Sequence, residues 1–260
     1  MKILIIDIET KPHQVFCWGF FDQYIDPMSQ VAEPGGTISW AAKWYGERKM
    51  EFRSSFHDGH EVMVRRMYDL MDEADMIIHY NGNKFDIPHL HKEFVMLGLT
   101  PPAPSKHVDM LKVVKRRFRF PSNKMDFVCR ELELGGKTPH KGMQLWRDCM
   151  EGLDVEDFSD AEEHVVKAWN KMRTYNKQDV NLTEKLYDRI KGWIPGHPNH
   201  GFFSDGTSLV CPTCGSPKLQ RRGTQHLISR TYQRYCCQGC GAWCRDECAE
   251  VKRKLLRTVG

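Results

Sequence analysis

The chain has 260 residues, with 38 Lys+Arg against 34 Asp+Glu, 12 His and 10 Cys. Hydrophobic residues make up 40%, charged residues 28% and aromatic residues 11%, a globular composition that excludes a disordered chain, a collagen and a coiled-coil rod. No apolar run approaches the roughly 18 residues of a membrane span, and Asp7 interrupts the apolar start too early for a signal peptide, so a soluble, cytoplasmic chain without membrane association is expected.

Lys2–Glu9 is a short apolar run ending in acids, a buried-strand pattern. Gln14–Phe21 and Thr37–Tyr45 are aromatic-rich and separated by Pro27, Pro34, Gly35 and Gly36, which predicts two strands joined by a long loop. Met50–Phe56 reads as a fourth strand, His60–Asp72 as a helix and Met76–His79 as a short strand. Phe85–Leu97 reads as a helix that tolerates Pro88 in its first turn. Helices are expected at Val108–Arg117 and Lys124–Leu134, and a long helical stretch, one helix or two, at 160–190. Strands first and helices later predict an α/β domain, a mixed sheet flanked by helices, over residues 1–195. Residues 196–208 have the breakers of a linker, and residues 209–260 form a second, small unit.

Three acidic signals follow one another in the first domain. Residues two apart on a strand share a face, so Asp7 and Glu9 present adjacent carboxylates while Ile6 and Ile8 point the other way. Asn81-Gly82-Asn83-Lys84-Phe85-Asp86 follows a short strand and opens a helix. Tyr175 and Asp179 lie four apart on a helix and share a face. Each signal alone has an ordinary reading as solvated acids, a turn with an N-cap, or surface neighbours. Were these four carboxylates to cluster without a cation, they would raise one another's pKa. Two divalent ions roughly 3.5–4 Å apart would neutralise them and activate a water.

The pattern Asp7-x-Glu9, Asn81-x-x-x-Phe85-Asp86, Tyr175-x-x-x-Asp179 resembles the three motifs of the DEDDy 3′–5′ exonucleases. It is similar to the proofreading exonuclease domain of family B DNA polymerases, and the resemblance covers residues 1–195. Val108-Asp109-Met110-Leu111 and the Lys124–Gly135 stretch share the family's character. A sister subfamily places His where Thr174 stands, so the tyrosine version is indicated. The resemblance implies a ribonuclease-H-like fold and a free-standing exonuclease of the kind found in phage and bacterial genomes, with a place in DNA replication or repair. It implies that Asp7 bridges two Mg²⁺ or Mn²⁺ ions, Glu9 and Asp179 hold the water-bearing ion, and Asp86 serves the second, partly through water. Tyr175 would position the water, being a poor base at a reference pKa of about 10. Asn81 and Phe85 would touch the terminal nucleotide, Phe85 by stacking; its other reading is a core residue. The implied reaction releases 5′-mononucleotides from single-stranded DNA or frayed 3′ ends. An RNA-trimming enzyme and a non-catalytic nucleic-acid-binding adaptor are the alternatives.

Two further features stand outside those motifs. Lys112, Lys115, Arg116, Arg117, Arg119 and Lys124 interleave with Phe118 and Phe120, which suits single-stranded nucleic acid or, equally, a solvated helix face over two core rings. The histidines, including His57, His60, His79, His89, His91 and His107, form no evident ligand pair.

Residues 209–260 hold 10 Lys+Arg against 3 Asp+Glu, a net of +7, and seven of the ten cysteines. Cys211-x-x-Cys214-Gly and Cys237-x-x-Cys240-Gly give the spacing of a four-thiolate zinc ribbon with room for a hairpin between the knuckles. Cys236, Cys244 and Cys248 leave the register open to a Cys236–Cys240 or Cys240–Cys244 pairing. A unit this small is expected to require its zinc to fold. Arg221, Arg222, Arg230, Arg234, Arg245, Lys252, Arg253 and Lys254 make it basic, as a nucleic-acid-binding module would be. Docking to a polymerase or other replication protein is the alternative partner.

Overall fold

The computed structural model describes residues 1–140, 142–154, 161–206, 208–227 and 230–246. Cys248, Lys252, Arg253 and Lys254 lie outside the described residues. Contacts divide the chain into two units, residues 2–186 and residues 187–260 with Met1.

The first unit contains β1 (Ile3–Lys11), β2 (Gln14–Val15), β3 (Val31–Glu33), β4 (Gly36–Trp44) and β5 (Met50–Ser54). Then come α1 (Ser55–Asp58), α2 (His60–Glu73), β6 (Met76–His79), α3 (Asp86–Met96) and β7 (Lys106–Asp109). The helices α4 (Met110–Arg117), α5 (Met125–Glu131), α6 (Met143–Glu151) and α7 (Glu163–Ile190) follow. Five strands form one sheet in the order β5-β4-β1-β6-β7. β1 pairs antiparallel with β4 and parallel with β6, so the sheet is mixed, as expected. Among the described residues no helix is long and apolar enough to cross a membrane.

β1 divides its labour by parity. Leu4, Ile6 and Ile8 enter a core with Trp40, Met63, Met67, Leu90 and Phe94, covering one face with α2 and α3. On the other face Ile3 and Ile5 are buried, and the same parity then delivers Asp7 and Glu9 at the strand's end. α7 covers that side. Val165, Ala168, Trp169, Met172 and Tyr175 recur at helical spacing and pack with Ile38, Leu145 and Cys149. Lys43 of β4 pairs with Glu184 of α7, a tie between the sheet and the second half of that helix.

Several elements differ from expectation. The strand expected at Gln14–Phe21 is only Gln14–Val15; Phe16, Trp18, Phe20 and Phe21 are 72, 99, 93 and 87% exposed, so aromatic content there does not mean burial. The Met50–Phe56 strand stops at Ser54, whose hydroxyl caps α1 by accepting the His57 N–H at 3.1 Å. Val108 and Asp109 end β7 rather than start a helix; the Asp109 carboxylate caps α4, accepting the Leu111 N–H at 3.1 Å. α6 lies where no element was expected, and α7 is a single helix.

One close approach fixes the β6–α3 turn. His79 is fully buried, and its Nδ1 accepts the Gly82 N–H at 3.0 Å. Burial pushes its pKa down to about 4, so the ring is neutral at pH 7. Its Nε2 then carries the proton and donates to His107 Nδ1 at 3.4 Å. The two histidines thus form a hydrogen-bonded pair that pattern alone did not reveal. A Cβ at position 82 would come within 2.4 Å of His79 Cγ.

The second unit contains β8 (Leu219–His226), β9 (Thr231–Cys237) and β10 (Trp243–Arg245), a three-stranded antiparallel sheet in the order β10-β9-β8. Before it, residues 191–193 form a single 3₁₀ turn in which a Cβ on Gly192 would lie 2.3 Å from the Cys240 carbonyl oxygen. His200 donates its backbone N–H to the Pro212 carbonyl at 2.8 Å.

Gly82→Ala is expected to cost about 1–3 kcal/mol through overpacking against His79. Denaturant unfolding measures this, and an unchanged midpoint would contradict the close approach.

Candidate active site

One carboxylate oxygen each from Asp7, Glu9 and Asp179 lie within 4.8 Å of one another. β1 supplies the first two by alternation, and α7 brings the third. Asp179 is 1% exposed, and its Oδ1 has no hydrogen-bond partner among the described residues. Asp86, the first residue of α3, accepts the Ile8 N–H at 3.1 Å between the two β1 acids and stands outside the group of three. Tyr175, one turn before Asp179, is buried.

Two residues that the motif reading did not single out complete the arrangement. Lys137, in the segment between α5 and α6, pairs with Asp179 and donates to the Tyr175 hydroxyl at 3.2 Å. Its distance in sequence from every motif hides it. Asn176 is fully buried; its Nδ2 donates to Asp7 Oδ2 at 2.6 Å and to the Asp7 carbonyl at 3.0 Å. Its Oδ1 accepts the Ser39 hydroxyl at 3.4 Å. Its place beside Tyr175 and three residues before Asp179 was the available signal, since that helical face is the inward one.

Electrostatics follow from this crowding. Burial, then the charges of Asp179, Glu9 and Asp86, hold Asp7 well above the usual carboxylate range, with Lys137 opposing. Burial and Asp179 push Glu9 up to about 8. Burial raises Asp86 to about 7 against the Ile8 N–H that favours its anion. Burial also raises Asp179, although Lys137 works against it. Burial lowers Lys137, but the charge and hydrogen bond of Asp179, with Tyr175 and Asp7 behind them, together hold it above the lysine range. Burial lifts the Tyr175 hydroxyl to about 12, so it stays protonated at neutral pH. Hard oxygen donors, an unpartnered buried carboxylate oxygen and unrelieved like charge together fit a divalent cation.

Asn81 adopts a left-handed conformation (φ 69°) that asparagine tolerates, and its N–H donates to Asp109 Oδ1 at 3.0 Å. Phe85 is 38% exposed and meets His89 edge-on at 4.8 Å, which excludes a role as a core residue. His140 and Trp146 lie 5.0 and 6.1 Å from the Tyr175 ring centre, extending an aromatic wall from the acids to α6. In the basic stretch, Phe118 and Phe120 contact each other at 5.8 Å.

The second unit gathers four sulfurs. Cys211, Cys214, Cys237 and Cys240 each place Sγ within 4.8 Å of the other three. Cys211–Cys240 and Cys214–Cys237 are 3.7 and 3.6 Å apart. A tetrahedral zinc with bonds of about 2.3 Å sets sulfurs ~3.8 Å apart, so the cluster fits a zinc ribbon. Cys236 and Cys244 are outside it. Burial raises the Cys237 thiol, but the N–H groups of Cys240 and Gly239 together with the Cys214 and Cys211 thiols outweigh it and lower it to about 7.

The family model of the RNase_H superfamily matches residues 4–191, and the chain belongs to that superfamily. Nucleases of this fold use divalent metals and act on nucleic acids. Among solved structures, the family B DNA polymerase of the hyperthermophilic archaeon Pyrobaculum calidifontis matches with a TM-score of 0.53 at 16% identity, a likeness of fold. The match covers 74% of this chain and 24% of that one, so the chain spans about a quarter of the polymerase. No curated protein matches the sequence.

A carboxylic acid raised by folding stabilises the fold below its unfolded pKa and loses that contribution as pH climbs through the folded value. For Glu9 the window runs from 4.5 to about 8. In buffer free of Mg²⁺ and Mn²⁺, the Tm advantage of the parent over Glu9→Gln is expected to shrink across that window. Thermal unfolding at stepped pH checks this; an advantage that grows with pH would contradict it.

Proposed function

We propose that the chain is a metal-dependent 3′–5′ exonuclease acting on single-stranded DNA or frayed 3′ ends and releasing 5′-mononucleotides. The observation that carries this is the convergence of Asp7, Glu9 and Asp179 around a buried carboxylate oxygen that has no hydrogen-bond partner among the described residues. In this reading residues 1–195 are the nuclease and 209–260 the ribbon, joined by 196–208. Asp7, Glu9, Asp86 and Asp179 would hold two Mg²⁺ or Mn²⁺ ions, which when bound supply a nucleophilic water at neutral pH and offset charge on the phosphoryl oxygens.

The chain's own groups orient what reacts. Asn176 occupies one oxygen of Asp7 as a donor and so fixes the direction of the other. Lys137 sets a positive charge beside Asp179 and holds the Tyr175 hydroxyl. Tyr175, protonated at neutral pH, is a hydrogen-bond donor that orients the attacking water, not its base. The exposed Phe85 ring suits stacking on the terminal base, worth about 1–3 kcal/mol. The four cysteines would hold one structural Zn²⁺.

A time course on 5′-labelled single-stranded DNA and matching RNA with Mg²⁺ or Mn²⁺ tests the reading. The expected result is a ladder shortening from the 3′ end, absent with EDTA and in Asp179→Asn. Tyr175→Phe is expected to be slowed roughly 10- to 100-fold through misplacement of the water. The faster substrate decides between DNA and RNA. Internal cleavage, or tight binding with no cleavage, would overturn the reading, the latter in favour of an adaptor.

A further inference from the structure

The ribbon gathers arginines on one face of its sheet. Directly opposed residues of an antiparallel pair project to the same side. The register sets Trp243 against Cys236 and Arg245 against Arg234. Alternation along β9 adds Tyr232 to that face, and Arg222 reaches it from the bulge between Arg221 and Thr224. The Arg234 and Arg222 guanidinium carbons lie 4.9 and 6.0 Å from the Trp243 ring centre. That of Arg245 lies 4.2 Å from the Tyr232 ring centre. Asp246 falls on the opposite face, where it bonds Tyr235.

None of these three arginines takes part in an ion pair among the described residues. A solvated basic surface would leave such side chains free to wander. Here the rings hold them in place: Arg222 and Arg234 lie against a tryptophan that is still 54% exposed, and Arg245 lies against Tyr232 on the same face.

We propose that this face is a platform for single-stranded nucleic acid, with Arg222, Arg234 and Arg245 on phosphates and Trp243 stacked on an unpaired base. The charge complements a phosphodiester chain. The exposed ring favours a single strand, since a duplex hides the faces of its bases and an acidic peptide has no flat partner for it. The platform goes beyond the proposed hydrolysis: it concerns binding and stands or falls separately.

The test is fluorescence anisotropy of a labelled dT 20-mer with the full chain in an Asp179→Asn background, so that no strand is consumed. Zinc content and circular dichroism verify the ribbon in each variant. Trp243→Ala is expected to weaken binding roughly 5- to 150-fold, the range for one stacked base, with Trp243→Phe largely restoring it. Replacing Arg222, Arg234 and Arg245 together by Gln should reduce the slope of log K against log salt by about 2, from ~0.7 per phosphate contact on a single strand. Variants with intact ribbons that bind like the parent would overturn the proposal. So would equal competition by duplex DNA, or equal competition by polyglutamate with no effect of Trp243→Ala, the latter reassigning the face to protein docking.

Discussion

The first unit is arranged around a repulsion. At an effective dielectric of about 20, two carboxylates ~4.8 Å apart repel by about 3–4 kcal/mol. Asp7, Glu9 and Asp179 stand that close, with Asp86 one hydrogen bond away on the Ile8 N–H. Among the described residues a single ammonium, Lys137, faces them. It offsets one charge of four, and Asp7 and Glu9 stay above the usual carboxylate range, through burial first and their neighbours' charges next. A fold that only needed stability would place apolar residues there. Keeping the acids buried and close is intelligible when a cation completes them.

The sheet makes the crowding affordable in geometric terms. One parity of β1 is anchored in a core of Leu4, Ile6 and Ile8 against α2 and α3, so the other can carry charge at the strand's end without loosening it. α7 does the same along its length. Trp169 and Met172 pack first, Tyr175 and Asn176 form the boundary, and Asp179 follows one turn later. Asn176 is the joint between the two elements, tying α7 to Asp7 on β1 and to Ser39 on β4. Being neutral, it adds a donor to the cluster without adding a further charge.

Motif positions were legible because regular periodicities placed them: Asp7 and Glu9 by the two-residue repeat, Tyr175 and Asp179 by the helical one. The four-cysteine cluster was legible from spacing, and the structure chooses among the cysteines, leaving Cys236 and Cys244 outside it. What escaped depends on contacts remote in sequence. Lys137 reaches Asp179 across 42 positions, from a segment with no regular structure to flag it. α6 has only Leu145 and Cys149 buried, too few for an inward stripe to be recognised. The Gln14–Phe21 region failed differently: its aromatic residues look like a strand's buried side, but no surface covers them. β7 is four residues long and ends in its own helix cap, so strand and helix merge in the pattern.

The central claim is that the clustered carboxylates exist to hold divalent cations. Calorimetric titration of Mn²⁺ into the parent chain and Asp7→Asn at pH 8 tests it most directly, because it requires no substrate and no turnover. The account predicts saturable binding in the parent and its loss or severe weakening in Asp7→Asn, with zinc content equal in both. Equal Mn²⁺ binding by the two proteins, or none by the parent, would contradict it.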